Sequence, residues 1–220
     1  MEFAMRHLVK TLLGFAVLLV PTMAPAATVV GGDTRVAFGA AIAGLEAQLL
    51  GTASLVGGAP GLTVNFPITG GTLDEALSGA IRHDGSGVSL SNGTYTLALS
   101  NFVIDTSAGI LFGDAALNGA VVGTALDLFN FDLSTVTVPQ LTDLGNPLLA
   151  LVIRPTASGA LTAAFGLGDT AGVTLGLAAT APQIAAIPEP GSWAMLIVGF
   201  GLVGGSIRIR QARTPGSVPA

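Results

Sequence analysis

From residue 62 onward, apolar and polar positions alternate in short runs. Leu62, Val64 and Phe66 are separated by Thr63 and Asn65. A period of two puts alternate side chains on opposite faces of a strand. The clearest run extends from Val88 to Leu99, with Asn92-Gly93 in its middle. Asn-Gly between two alternating segments predicts a hairpin, because both residues tolerate positive φ. Tyr95, Leu97 and Leu99 share one face of its second strand. Further strands are predicted at 102–104, 109–112, 126–133, 148–154, 160–165 and 173–177. Upstream, Ile42, Leu45, Leu49 and Leu50 recur at helical spacing and predict a short helix within 36–50, with Gly51 as its C-cap. No repeat of fixed period is present. Many short strands between Gly, Asn and Asp predict an all-β, sandwich-like body carrying one short helix.

Composition narrows the functional classes. Half of the residues are hydrophobic and 10% are charged, against about 25% charged in ordinary soluble domains. The chain has no Cys, so neither a disulfide nor a thiolate chemistry is available. Between residues 28 and 187, three arginines (Arg35, Arg82, Arg154) face eleven carboxylates, a net charge of −8. Such a body cannot neutralise phosphates, which excludes nucleic acid as a partner.

Both ends read as targeting segments. Arg6, His7 and Lys10 precede an apolar run from Leu12 to Val20, then Pro21 and the small residues Ala24-Pro25-Ala26. This is the pattern of a secretory signal peptide, residues 1–26, with cleavage read from Ala24 and Ala26. The body spans 27–177, and an Ala-rich linker is expected at 178–187. Next come Pro188-Glu189-Pro190, an apolar stretch from Trp193 to Ile207, and Arg208, Arg210 and Arg213. Fifteen helical residues rise about 22 Å, a short membrane span. The arginines would stop it on the cytoplasmic side, leaving the body outside.

Pro188, Glu189, Pro190, Trp193 and Ala194, followed by a Gly-rich apolar stretch and arginines, resemble the PEP-CTERM sorting signal of Gram-negative bacteria in its PEPxxWA variant. The signal spans 188–213, and residues 214–220 extend past the point where family tails stop. The resemblance implies an exosortase as processing partner and a transient inner-membrane stage. Delivery to the cell surface or the exopolysaccharide matrix would follow. The stretch from Val64 to Leu133 resembles the HtaA-like domain of bacterial surface proteins. The resemblance rests on Phe66-Pro67-Ile68-Thr69-Gly70-Gly71, His83-Asp84-Gly85-Ser86-Gly87, Asn101-Phe102-Val103-Ile104-Asp105 and Leu128-Phe129-Asn130-Phe131-Asp132-Leu133. It implies a β-sandwich. Some members bind haem through a Tyr near the domain start plus His, and His83 falls at one such position.

His83 is the single His of the body and its one candidate ligand residue. No Tyr precedes it, and Arg82 and Asp84 on either side predict an exposed strand end, so no haem or other cofactor is expected. A structural zinc site takes about four ligands, which one His cannot supply. No D-x-D-x-D-G loop offers calcium a site. Ser86 beside His83 lacks a G-x-S-x-G setting, Asp74-Glu75 more simply starts a short helical turn, and nothing in the sequence brings Asp127 and Asp132 into one cleft. The expectation is an exported, non-catalytic structural or interaction protein of the surface or matrix. The alternative is a surface module binding haem or another small molecule, and a secreted hydrolase stands third.

Overall fold

The computed structural model describes residues 26–185, other than Pro60 and Glu75, together with Phe200. Most of the signal-peptide segment, including Ala24, the sorting motif, Arg208, Arg210 and Arg213 lie outside the described residues. Among the described residues no helix is long and apolar enough to cross a membrane.

Eleven strands carry the described chain: β1 (Ala27–Phe38), β2 (Glu46–Gly51), β3 (Ser54–Leu55), β4 (Thr63–Pro67), β5 (Gly70–Leu73), β6 (Gly79–Ser91), β7 (Thr96–Asp105), β8 (Ile110–Leu117), β9 (Ala120–Asn130), β10 (Leu149–Ile153) and β11 (Thr174–Ile184). Two short helices, α1 (Val138–Thr142) and α2 (Pro155–Phe165), flank β10. The sheet runs β11-β10-β9-β8-β7-β6-β5-β1-β4-β3, with β2 added to β6. Its path closes on itself, because β11 also pairs antiparallel with β1 from Val29↔Ile184 to Phe38↔Gly176. The all-β, sandwich-like architecture thus wraps one sheet around a single core.

Strand alternation builds that core. On β7, Leu97 and Leu99 point inward, and Phe102 and Ile104 do so again after one extra residue. The extra step is a bulge at Asn101, which adopts φ 52°. The bulge continues across the sheet. On β6, residues 84–86 oppose this position, with Gly85 at φ 72°, and on β9 Ala125 takes φ 49°. Side chains bind the row together. The Gly85 N–H donates to Asn101 Oδ1 (2.9 Å), Asn101 Nδ2 to Asp114 Oδ2 (2.8 Å), and the Ala125 N–H to Asp114 Oδ1 (2.9 Å). Bulges bend strands and raise their twist, which lets a long sheet curl until β1 and β11 meet.

Three expected elements differ. The helix predicted in 36–50 is a single 3-10 turn, Ala40–Ile42, followed by β2. Residues 46–51 pair edge to edge with β6, and that ladder outweighs a helical spacing carried by only four apolar residues. The strand predicted at 160–165 is the second half of α2. Pro155 opens that helix, and Gly166 closes it in the left-handed conformation (φ 67°) with its N–H on the Thr162 carbonyl. The expected linker at 178–187 is strand as far as Ile184. Ala178, Ala179 and Thr180 are buried and pair with β1, and Ala178 also pairs with Leu149 of β10.

Candidate functional site

The one buried ionisable group among the described core residues is His83, 1% exposed. This overturns the expectation of a strand-end His at the surface. Along β6, Ile81 and His83 are buried while Arg82 and Asp84 are exposed. In a strand, charged neighbours at i±1 place the residue between them on the opposite face, which here is the core.

His83 Nε2 lies 2.8 Å from Thr34 Oγ1, and Thr34 Oγ1 lies 2.8 Å from Thr180 Oγ1. This chain of polar groups links β6, β1 and β11 inside the apolar interior. Nδ1 has no hydrogen-bond partner. The backbone carbonyl of Phe102, its cross-strand neighbour, favours the charged ring without completing a hydrogen bond. Burial lowers the pKa to about 4, against the weaker opposing pulls of Phe102, Asp84 and Asp33. The ring is therefore neutral at pH 7.

Two apolar cavities of about 50 Å³ and about 70 Å³ lie inside the sheet. His83 lines the first, and Thr34 lines both. Pockets for organic ligands measure about 300–1,000 Å³. Each of these two cavities is smaller than that. The described residues also hold no group of three His, Asp or Glu side chains placed to bind a metal ion.

The other candidates are occupied locally. Ser86 is fully buried, and its hydroxyl donates to the His83 backbone carbonyl (3.1 Å) and makes no hydrogen bond to the imidazole. Asp74 accepts from the Ala76 and Ser78 N–H groups (2.9 and 2.8 Å) and closes the β5–β6 turn. Asp132 caps a 3-10 turn through the Ser134 N–H (2.9 Å). Asp127 accepts from Thr156 Oγ1 (2.6 Å) and pairs with Arg154 Nε (2.9 Å) at the start of α2. The Thr156 and Arg154 hydrogen bonds hold its carboxyl below the usual range. One polar cluster was not singled out in the sequence. Ser158 is 3% exposed, donates to Asp169 Oδ1 (2.9 Å) and accepts from the Thr170 N–H (2.8 Å), tying α2 to the loop before β11. No spacing in the chain announces that pairing.

The described chain is thus a closed β-domain whose last strand leads straight into the expected sorting segment. Residues 186–211 match the PEP-CTERM protein-sorting motif. The chain therefore carries the sorting signal that Pro188, Glu189, Pro190, Trp193 and Ala194 led one to expect, a signal of proteins exported and sorted to the surface through the membrane. The body is similar in fold to the crystal structure of the C-terminal domain of HtaA from Corynebacterium glutamicum. The TM-score is 0.50 over 72% of this chain and 99% of that domain, at 14% sequence identity. No curated protein matches the chain in sequence.

Proposed function

We propose that this chain is an exported β-domain that an exosortase processes at the inner membrane and releases to the cell surface or exopolysaccharide matrix, where it acts without catalysis as a structural or interaction protein. The observation that carries this reading is the sorting motif at 186–211, placed directly after the strand that closes the domain. The secretory signal at 1–26 supplies the export that the motif needs. The occupied carboxylates, the buried Ser86 and the acidic surface support a non-catalytic role. A ligand-binding module remains the second reading, supported by the shared fold and opposed by cavities that hold only a few water-sized molecules.

Glu189→Ala tests whether an enzyme reads the motif. The substitution leaves the apolar stretch and the arginines intact, so a plain anchor would behave as before. Fractionation of the producing cells is expected to show the variant retained in the inner membrane and the parent at the surface. Equal surface delivery of the two would remove the exosortase from the account.

A further inference from the structure

The start of β1 and the end of β11 pair with each other. Val29 lies opposite Ile184, and the Ala185 N–H donates to the Thr28 carbonyl (2.8 Å). Pro188, where Pro188-Glu189-Pro190 begins, follows Ala185 by three residues. Three residues span at most about 11 Å when fully extended. The motif is thus tethered close to hydrogen-bonded sheet. Backbone held in a fold is cut from its locally opened state, and the rate follows how readily that state forms.

The end of β11 opens at low cost. None of the residues 181–185 is buried, and Gln183 and Ile184 are exposed. Pro182 has no N–H to give to the ladder. It lines the cavity of about 70 Å³, so it lacks packing partners on that side. On β1 the register shifts between Val29 and Gly31, and such a shift disrupts the ladder locally. A segment with few buried contacts belongs to the least stable part of a structure. One residue earlier the strand is clamped. Thr180 is 8% exposed, its hydroxyl lies 2.8 Å from that of Thr34, and Thr34 Oγ1 lies 2.8 Å from His83 Nε2. Ala178 and Ala179 before it are buried.

We propose that residues 181–185 are a strap that detaches from β1 as far as Thr180 to deliver the sorting motif to the exosortase. This rests on the processing of the tail proposed above. Opening that starts at the chain end meets the buried link of Thr180, Thr34 and His83 and stops there. Pro188 follows Thr180 by eight residues, which extends the tether from about 11 Å to about 28 Å. The pairs from Arg35↔Ala179 to Phe38↔Gly176 stay in place, so the closed sheet survives while its last residues are drawn out.

The absence of Cys gives a clean test in the producing cells. The Ala185 bond to Thr28 makes the adjacent Val29–Ile184 pair a non-hydrogen-bonded one. Such pairs bring Cα atoms to about 4.5 Å, a separation that a disulfide spans. Val29→Cys with Ile184→Cys therefore pins the strap. Val36→Cys with Ala178→Cys pins the same two strands inward of the clamp. Both double variants and their single-Cys parents are exported with and without dithiothreitol, and the processed fraction is read by mass. The strap pin is expected to lose the processed form, to remain in the inner membrane with its tail attached, and to recover under dithiothreitol. The inner pin and the single variants are expected to be processed as the parent is. Normal processing of the disulfide-linked strap pin overturns the proposal, as does equal loss in both pins. Two free thiols at positions 29 and 184 would show that the strap is not paired with β1, and overturn it too. Glu189→Ala, run alongside, separates the two claims. Its normal processing removes the exosortase reading and the strap with it, whereas its arrest beside a normally processed strap pin removes the strap alone.

Discussion

Phe102→Ala is expected to destabilise the domain by about 3–5 kcal/mol, the usual cost of emptying a buried aromatic site. The ring is 8% exposed and packs edge-on against Phe66, with centroids 5.4 Å apart and planes at 87°. It also lies over Gly113, where a Cβ would come within 2.9 Å of the ring, so Gly113 has no side chain to fill the space it leaves. The ring already lines the cavity of about 50 Å³, and truncation would enlarge that void. Urea unfolding followed by far-UV circular dichroism gives the difference directly. A loss below about 1 kcal/mol would mean that this core is looser than described here.

Acid should weaken the fold through His83 before it affects the carboxylates. The folded pKa is about 4 against an ordinary 6.5, so the unfolded chain binds the extra proton in between. Stability is then fully present above about pH 6.5 and falls as the pH drops towards 4, by about 3 kcal/mol from this group. Asp127, Asp132 and Asp169 have lowered pKa values and lose their contributions at lower pH. His83→Leu removes the titrating group and is expected to flatten the profile between pH 6.5 and 4. The measurement is the urea midpoint across that range. A slope unchanged by His83→Leu would place the acid sensitivity elsewhere.

These two residues show what the sequence made legible. The hairpin was readable because Asn92-Gly93 is a local signal. The structure folds it as expected, with β6 and β7 paired from Ser91↔Thr96. The strands near 126–133, 148–154 and 173–177 were readable because alternation is also local, and they appear as β9, β10 and β11. Alternation around Arg82, His83 and Asp84 was equally available, and the buried position of His83 followed from it. The flanking charges alone predict an exposed segment, and the alternation outweighs them. The ends of α2 were also written in the chain, as Pro155 and Gly166, but Ala160 to Phe165 has too weak a period to separate helix from strand. Closure of the sheet was not legible. It depends on β1, where the sequence reading places no strand, and on Ala178 to Ile184, whose small residues read as a linker. Only the pairing of two segments distant in sequence makes either one a strand. The sorting motif needed no fold at all, because a contiguous peptide carries its own signal.

Surface sorting through the tail is tested most directly by the intact mass of the mature protein from its native cells. Trp193 is the single Trp of the chain and Tyr95 the single Tyr. Cleavage near Pro188-Glu189-Pro190, together with removal of residues 1–26, leaves a protein that retains Tyr95, lacks Trp193 and shows tyrosine emission alone. The account predicts that mass and that spectrum for the surface-exposed form. Surface-exposed protein that keeps Trp193, at a mass that includes the apolar stretch and the arginines, would contradict it.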